Sequence, residues 1–450
     1  LHFTTVDRMM RERAITNTCW TYICIIVHYT PMNSLRDVVL TQKADIEAQQ
    51  RRTYVERKLP PQAVTETDLI RVILGPRRAG KSTLAVHLLQ KLGGGGYANF
   101  DDERLADLTE ADALLAAIDE VYDRPRHILF DEIQNFPRWE LLVNRLQRSG
   151  RRLLLTGSNA NLLGNELATH LTGRHQSVAL LPFSFAETLD AAGTAHTAAD
   201  TAALFDRYVM EGGYPEPLLR GANRTDYLRD LVRATLLKDV VRRHRIRASA
   251  GLEDVAHYFF SNTAKEFSFR TVAAVARVTS PTTAEKYTRL LCESFLLFTL
   301  NRFSFKARER VTANKKAYAI DPALAVCLGT RPGQDVGRLA ENVVAIALWR
   351  RHLAGEIELA FWKNREQEEV DFVIRERGRV SQLIQVCWDL SDPHTRSREF
   401  RALLKAGTDL RCTDLCCLSR GSASEETFTW NGHTARIRVA PIEQWLRQAQ

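Results

Sequence analysis

The chain has 450 residues, of which 45% are apolar and 26% are charged, and its net charge is +8 with a pI near 9.1. This length exceeds what one ordinary core needs and predicts about two to four domains, and the composition is that of a folded soluble protein. The positive charge suits an anionic partner such as a nucleotide or nucleic acid, and is equally compatible with scattered surface arginines. No run reaches the roughly 18 apolar residues that crossing a membrane requires, so we expect no membrane partner.

The first 31 residues show neither a helical nor a strand period, and Met32 opens a more regular sequence. We therefore interpret residues 1–31 as an upstream extension. Two arginines precede the short apolar run 20–27, so a signal peptide is an alternative, but no small-residue cleavage site follows. The cysteines match no zinc spacing, and a chain of this size needs no disulfides, so we expect reduced thiols in a cytoplasmic protein.

Predicted strands and helices alternate in the next part of the chain. A polar helical segment at 34–58 ends at Pro60-Pro61. The predicted strands are 69–74, 97–100, 128–130 and 153–156, and the predicted helices are 81–92, 105–122 and 139–148. Four glycines, at 93–96, are expected to end the first of these helices. This alternation predicts a parallel α/β sheet.

A glycine-rich turn between the first predicted strand and helix matches the P-loop pattern G-x-x-x-x-G-K-[ST]. Its backbone N–H groups and the following helix N-terminus favour phosphate oxygens. Lys81 is expected to reach the β- and γ-phosphates, and Ser82 to ligate Mg²⁺. The predicted nucleotide-binding residues are Gly75, Pro76, Arg77, Arg78, Ala79, Gly80, Lys81, Ser82 and Thr83. The pattern predicts binding of a nucleoside triphosphate; the alternative is a glycine turn with a surface lysine.

A strand that ends in two acids, H-I-L-F-D-E at 127–132, is typical of a Walker B element. Asp131 is expected to hold Mg²⁺ directly or through water, and Glu132 to activate the attacking water as a general base. The next strand ends in a polar turn, L-L-L-T-G-S-N at 153–159. Ser158 or Asn159 is our candidate for a sensor of the γ-phosphate, with Thr156 as a third option and a plain polar turn as the alternative.

Six motifs occur in a fixed order along the chain. They are G-P-R-R-A-G-K-S, L-F-D-E-I-Q-N, L-L-L-T-G-S-N, L-T-G-R at 171–174, L-P-F-S-F-A-E at 181–187 and G-G-Y-P at 212–215. In this order they resemble the prokaryotic AAA-type ATPases that carry a C-terminal domain of unknown function, over about residues 36–447. The resemblance implies ATP and Mg²⁺ as cofactors, ATP hydrolysis and a homo-oligomer.

In AAA-type enzymes an arginine from a neighbouring subunit often completes the site by stabilising charge on the phosphoryl group. The resemblance makes Arg174 the candidate for this role. The alternative is that Arg174 pairs with Glu187 or another acid. Gly212-Gly213-Tyr214-Pro215 is interpreted as a structural turn that links the ATPase core to the next part of the chain.

The middle of the chain is basic. One predicted helix carries Arg229, Arg233, Lys238, Arg242, Arg243, Arg245 and Arg247 beside an apolar stripe of Leu231, Ala234, Leu237, Val240 and Val241. A basic face can hold phosphate backbones, so DNA is a candidate partner; a solvated face or a subunit contact is the alternative.

The pattern at 251–330 predicts a winged helix. Its helices are expected at 252–261, at 269–278 and from a Ser280 N-cap followed by Pro281, and its wing strands at 295–303 and 317–320. Exposed positions on the third helix are Thr282, Thr283, Lys286 and Arg289, and the loop between the strands carries Lys306, Arg308, Arg310, Lys315 and Lys316. Such a module docks on DNA or on protein.

The last part resembles the PD-(D/E)xK nuclease fold, with Glu341 on a helix, Asp371 on a strand, and strands at 358–362, 370–374 and 383–386. Gln385 stands where the fold places an acid, and Cys387 where it places a lysine. Gln is a weak metal ligand and Cys supplies no cation, so we expect cleavage chemistry to be lost, unless Lys363 substitutes spatially. Glu341, Asp371 and Trp388 are expected to shape a binding surface.

The predicted fold class is an α/β P-loop sheet with a helical extension, followed by a winged-helix segment and a smaller α/β nuclease-like domain. The predicted domains are 1–31 (extension), 32–190 (ATPase core), 191–250 (helical extension), 251–330 (winged helix) and 331–450 (nuclease-like). The first hypothesis is an ATPase that couples hydrolysis to conformational change on DNA or a protein partner. The alternatives are a low-turnover ATP-dependent switch and an ATP-gated nuclease.

Overall fold

The computed structural model describes residues 34–51, 53–59, 68–159, 173–193, 196–246, 249–329 and 335–448. The predicted extension 1–31 lies outside these ranges. The first sheet consists of β1 (Ile70–Leu74), β2 (Gly96–Asn99), β3 (His127–Asp131), β4 (Arg152–Gly157) and β5 (His175–Ala179). All of its described pairs are parallel, in the order β2-β3-β4-β1-β5. The predicted parallel α/β sheet is confirmed, and β5 is an edge strand that the sequence did not reveal.

Helices cover this sheet. They are α1 (Leu35–Gln50), α2 (Lys81–Lys91), α3 (Asp112–Val121) and α4 (Trp139–Arg148). The prediction of one helix at 105–122 is wrong, because a short 3₁₀ turn, Glu103–Leu105, precedes α3 as a separate element. The side chain of Asp102 caps that turn by accepting a hydrogen bond from Arg104 N at 3.0 Å. The prediction that Gly96 helps to end α2 is also wrong, since Gly96 begins β2.

A helical region follows the sheet. It contains α5 (Phe185–Ala192), α6 (Ala198–Glu211), α7 (Pro215–Arg220) and α8 (Arg224–Thr235), which continues as a π-helical turn, Leu236–Arg242. Leu231 and Val240 are buried, as the predicted apolar stripe requires, but Leu237 is 44% exposed. The wider π turn shifts the side-chain positions after Thr235, so helical spacing no longer predicts which face is buried.

The G-G-Y-P segment is a turn that joins this region to the core. Gly212 has φ +68°, and a Cβ there would clash with Asp321 Oδ1. Gly213 N donates to Asp321 Oδ2 at 2.7 Å, and Gly213 O accepts from Phe183 N at 2.7 Å. Burial raises the pKa of Asp321 to about 6, against two backbone hydrogen bonds that lower it. The interpretation of this segment as a structural turn fits these contacts.

The next region contains α9 (Ser249–Ser261), α10 (Phe269–Val275), α11 (Pro281–Glu293), α12 (Ala307–Thr312) and α13 (Pro322–Leu328). Its strands are β6 (Lys265–Phe267), β7 (Leu297–Asn301) and β8 (Lys315–Ala319), antiparallel in the order β6-β8-β7. Ser280 caps α11 by accepting from Thr283 N at 3.1 Å, as expected. Helices and strands thus occur near the predicted places, while the winged-helix assignment stays a prediction.

The last region contains α14 (Val336–Leu353), α15 (Pro393–Leu410) and α16 (Ile442–Gln448). Its sheet contains β9 (Glu358–Lys363), β10 (Glu369–Glu376), β11 (Arg379–Val386), β12 (Leu415–Ser419), β13 (Ser424–Trp430) and β14 (His433–Pro441). The order in this mixed sheet is β13-β14-β12-β11-β10-β9. Phe303 N donates to Phe361 O at 2.6 Å, so the chain after β7 contacts β9 of this sheet. Within the described ranges, no helix combines the length and apolar character needed to cross a bilayer.

Candidate nucleotide-binding site

The P-loop follows the buried strand β1 and leads directly into α2. Gly80, at the N-cap of α2, has φ +94°, which L side chains rarely adopt. A side chain at Gly75 would clash with the backbone oxygen of Leu180. Both glycines of the pattern are therefore required by the backbone path. Thr83, the last predicted binding residue, accepts a hydrogen bond from Gln49 of α1 at 2.8 Å.

Lys81 is only 4% exposed, and its ammonium faces the P-loop. Nζ donates to Pro76 O at 3.0 Å and lies 3.5 Å from Glu132 Oε1. The predicted phosphate-binding lysine and the predicted general base therefore form an ion pair with each other. A phosphate that enters the loop would compete for this ammonium.

Asp131 ends β3 beside the P-loop, and its carboxylate is held from three sides. Tyr97 Oη donates to Oδ2 at 3.2 Å, the Thr156 hydroxyl donates to Oδ1, and Ser82 also forms a side-chain hydrogen bond. Burial, followed by the charge of Glu132, raises the pKa of Asp131. Ser82 and Asp131 supply adjacent hard oxygen ligands, so these residues fit Mg²⁺.

Glu132 is buried and has a left-handed backbone conformation, with φ +52°. Burial alone would raise the pKa of its carboxyl, but the charges of Lys81 and Arg77 outweigh this effect and lower it. Gln134 Nε2 donates to Glu132 Oε2 at 2.5 Å. The side chain is therefore an ionised, oriented carboxylate, as a general base must be.

The three sensor candidates lie at the carboxyl end of β4 or directly after it. The Thr156 hydroxyl joins both acids, because it donates to Asp131 and accepts from Glu132 N at 2.9 Å. The hydroxyl of Ser158 lies 3.5 Å from Gln134 Nε2, and its hydrogen bond lowers the pKa of Glu132. Asn159 is buried at the end of β4. Thr156, the third option from the sequence, thus contacts the Asp131 carboxylate and the Glu132 backbone, while Ser158 contacts the Glu132 carboxylate.

Arg174 lies apart from these residues, exposed at the start of β5. Its backbone oxygen accepts from Ile70 N at 2.9 Å. The alternative that Arg174 pairs with Glu187 is wrong. That carboxylate accepts instead from Arg57 Nε at 2.8 Å and from Lys58 N at 2.9 Å.

Arg57 is a residue of this site that the sequence did not indicate. Its side chain is buried between the P-loop and the L-P-F-S-F-A-E motif, where Nη1 donates to Ala79 O at 2.9 Å and Nη2 to Leu181 O at 2.7 Å. Burial alone would raise the pKa of Glu187, but Arg57 and then Arg350 lower it to about 2. Arg57 thus links the backbone of the P-loop to Glu187 on α5. The acid that ends the mostly apolar motif L-P-F-S-F-A-E was the available signal, but its partner lies 130 positions earlier.

Two further P-loop side chains reach the helical region. Arg77 donates to the carboxylate of Asp239 through Nε at 2.7 Å and Nη2 at 3.0 Å. Arg78 is exposed, and its Nη1 lies 3.6 Å from Glu216 Oε2. Neither partner was predicted, because nothing in the local sequence indicates a contact over such separations.

The acids of the nuclease-like region surround a lysine from another strand. Lys316 of β8 is 2% exposed, and its Nζ lies 2.8 Å from Glu341 Oε1, 2.5 Å from Glu369 Oε1 and 2.9 Å from Asp371 Oδ1. The expectation that Lys316 lies in a basic surface loop is wrong. Its ammonium occupies the space between the carboxylates, so this cluster does not fit a divalent cation.

The other residues of this cluster also differ from their predicted roles. Lys363 does not take the central position, because its Nζ pairs with Glu266 at 2.6 Å and lies 3.7 Å from Glu369. Gln385 accepts from Asp371 N at 3.1 Å and donates to Glu399 at 2.7 Å. Its side chain therefore links the backbone of β10 to the carboxylate of Glu399 on α15. Burial raises the pKa of Cys387 to about 11, which leaves its thiol neutral.

In a comparison with known proteins, three successive parts of the chain match family models. Residues 67–189 match the AAA domain, residues 202–335 match a domain of unknown function (DUF8612), and residues 336–443 match another (DUF4143). The chain is 29% identical over 395 residues to the uncharacterized protein MJ1544 of Methanocaldococcus jannaschii, which covers 84% of this chain and 88% of that protein. An uncharacterized protein of Haemophilus influenzae is 26% identical, over 73% of this chain and 84% of its own length.

Solved structures with similarity to the chain include the AMPPCP-bound DnaA of Aquifex aeolicus, with 13% identity, TM-score 0.26, and 58% and 92% of the two chains covered. The Aeropyrum pernix ORC1 protein in complex with DNA is 13% identical, with a TM-score of 0.31, and the match covers 69% of this chain and 93% of that one. The Thermotoga maritima RuvB branch migration motor is 16% identical, with a TM-score of 0.27, and the match covers 59% of this chain and 91% of that one. The match of residues 67–189 to the AAA domain and the parallel sheet together support a P-loop domain of the AAA type.

Proposed function

We propose that this chain binds ATP with Mg²⁺ and hydrolyses it to drive a conformational change in the regions that follow the AAA domain. One observation supports this proposal above the others. Lys81, Ser82, Asp131 and Glu132 meet at the carboxyl ends of β1 and β3, with the lysine and the base 3.5 Å apart. A P-loop that only binds phosphate does not need the buried, ionised and oriented Glu132. ATP rather than GTP rests on the family resemblance.

Binding begins with competition for Lys81. The β- and γ-phosphates accept hydrogen bonds from the loop N–H groups and from the Lys81 ammonium, which leaves Pro76 O and Glu132. Ser82 and Asp131 would hold Mg²⁺, which would neutralise part of the charge on the phosphate oxygens. Glu132 is then free to orient a water molecule and to accept its proton as the oxygen attacks the γ-phosphorus. The bond to the β-phosphate oxygen breaks, and ADP and phosphate leave.

The test is Mg²⁺-dependent ATP hydrolysis by the full chain, beside the variants Glu132→Gln and Lys81→Ala. We expect Glu132→Gln to bind ATP and to lose about 100-fold or more in turnover, because a general base contributes about 10²–10⁴-fold. Lys81→Ala is expected to lose ATP binding. Glu120→Gln is the matched control, since Glu120 is an exposed carboxylate that pairs with Arg36 on the surface. ATP binding without turnover in the wild-type protein would favour the switch, and turnover that survives Glu132→Gln would overturn the assigned base.

Arg174 is proposed to act on the active site of a neighbouring copy in a homo-oligomer. Its exposure at the sheet edge leaves it accessible to another subunit. Mixing Arg174→Ala with Lys81→Ala subunits tests this role, since each mixed interface can then combine an intact P-loop with an intact arginine. We expect the mixture to recover activity that neither variant has alone. No recovery would remove the support for a role in trans.

Nucleic acid is a second candidate, as the partner on which the conformational change acts. Arg229, Arg233, Lys238, Arg242 and Arg245 are all exposed in the described structure, as are Lys286 and Arg289 on α11. We expect duplex DNA to bind with an affinity that falls steeply with salt, and to raise ATP turnover. Replacing Arg233 and Lys238 by Gln should weaken binding uniformly across sequences. Salt-independent binding, or none at low salt, would leave a protein client as the partner.

A further inference from the structure

The contact between Arg77 and Asp239 joins the phosphate-binding loop to the helical region through buried charges. Arg77 is the third residue of the P-loop, and its guanidinium holds both oxygens of Asp239, at 2.7 and 3.0 Å. The two side chains are only 16% and 4% exposed. Bidentate pairs of this kind fix orientation as well as distance, and burial protects them from screening by salt. The loop and Asp239 are therefore rigidly connected in this structure.

Asp239 lies on the π-helical turn Leu236–Arg242, the continuation of α8. The π-helical conformation is rare and is frequently found at functional sites. On the same turn, Leu236 and Val240 are buried, and the turn packs against α9 and α11. A change in the position of Asp239 would therefore reach the region that carries the exposed basic side chains.

Arg77 also faces the catalytic side of the site. Its Nη1 lies 3.7 Å from Asp101 Oδ2, and the charge of Glu132 acts on the guanidinium as well. Burial alone would lower the pKa of Arg77, but Asp239, Glu132 and Asp101 raise it. The guanidinium thus contacts two acids and is acted on by the charge of Glu132, the proposed general base, so it faces the side on which the γ-phosphate is expected. A triphosphate brings more negative charge to this side than any one of these acids.

We propose that Arg77 transmits the nucleotide state from the P-loop to the helical region: the γ-phosphate attracts its guanidinium, weakens the contact with Asp239 and releases the π turn. This inference rests on the proposed ATP binding. Because coupling between two equilibria is reciprocal, a contact that ATP weakens must also oppose ATP binding. Breaking the contact by mutation should therefore strengthen nucleotide binding by more than the loss of one nearby negative charge does, and Asp101→Asn measures that charge effect.

The test compares wild-type protein, Asp239→Asn and Asp101→Asn with and without AMPPNP and Mg²⁺, by amide hydrogen exchange and by nucleotide affinity. In the wild type we expect exchange at 236–242 to rise on binding, while β11 stays unchanged. In Asp239→Asn, exchange at 236–242 should be high already, and AMPPNP should bind about 5-fold or more tightly, the lower end of usual coupling. Asp101→Asn is the comparison, because it removes the same charge beside Arg77 but a longer and more exposed contact. Exchange at 236–242 should rise on binding as in the wild type, and the gain in AMPPNP affinity should be smaller than in Asp239→Asn.

The outcomes separate this inference from the proposed function. If AMPPNP binds but exchange at 236–242 does not change in the wild type, the inference is overturned while ATP binding stands. Unchanged or weaker AMPPNP binding by folded Asp239→Asn also overturns it. If AMPPNP does not bind at all, the proposed function fails and the inference fails with it. Should Asp239→Asn not fold, the exchange measurement on the wild type still decides the question.

Discussion

Replacing Lys316 by Met should remove the only ammonium that contacts all three carboxylates in the described cluster between β8, α14 and β10. Met retains an unbranched stem of similar length, so the change is mainly electrostatic. The lysine is 2% exposed and lies within 2.9 Å of oxygens of Glu341, Glu369 and Asp371. Removing one member of a buried ion pair costs about 3–5 kcal/mol, because the remaining charges stay buried. We expect a loss in this range at neutral pH.

The loss should depend on pH. Burial, and then the charge of Asp371, raises the pKa of Glu341 to about 8 from its ordinary 4.5, although Lys316 lowers it. In the folded state Glu341 therefore keeps a proton that the unfolded chain releases. The stability that this proton binding contributes is lost as the pH rises through about 8. Without Lys316 the carboxylates repel each other more, so the variant should lose more stability at about pH 8 than at about pH 5, where Glu341 is protonated.

The assay is urea unfolding, monitored by amide hydrogen exchange in β8 and β10. Hydrogen exchange reports the local free energy of opening even if the domains unfold separately. Lys315→Met is the control, because Lys315 neighbours Lys316 on β8 and its ammonium contacts Asn301 near the surface. That variant should change stability by less than about 0.5 kcal/mol. Equal losses in both variants, or a loss that is the same at both pH values, would refute the reasoning that Lys316 neutralises the cluster.

Three further substitutions test other contacts. Thr156→Val keeps the side-chain shape but removes the hydroxyl that joins the Asp131 carboxylate to the Glu132 backbone. ATP turnover should therefore fall about 10–100-fold while nucleotide affinity in equilibrium binding stays near the wild-type value. Arg57→Met leaves the Glu187 carboxylate buried without its main partner, so the free energy of unfolding in urea should fall by about 3–5 kcal/mol. This loss should be smaller at a pH low enough to protonate Glu187. Gly212→Ala should destabilise by at least about 1–3 kcal/mol in thermal unfolding, since φ is +68° and the new Cβ clashes with Asp321; a neutral effect would contradict that geometry.

Local patterns were enough to predict the phosphate site and most of the first sheet. The predicted strand at 69–74 differs from β1 by one residue, and α4 has the predicted bounds, because apolar periods and glycine turns act over a few positions. By contrast, β5 was missed because, as an edge strand, it buries only Val178 and has no apolar run. Likewise, β12 to β14 were not predicted, and β13 faces solvent along much of its length.

The contacts that connect distant parts of the chain could not be predicted from local patterns. Arg77 meets Asp239 across 162 positions, and Lys316 meets Asp371 across 55. Charged residues in a sequence are normally solvated, so Lys316 in a run of basic residues was assigned to a surface loop. Only the three-dimensional arrangement reveals that its ammonium is the counter-charge that the C-terminal acids need.

The position of Lys316 has a consequence for how this chain can evolve. The boundary between the two matched domains of unknown function falls at 335/336, between the lysine and all three of its carboxylate partners. Recombination at that point would pair an ammonium with a foreign surface and leave the acids without a counter-charge. We therefore expect the two domains to be inherited together, and substitutions at 316 to be accompanied by changes at 341, 369 or 371.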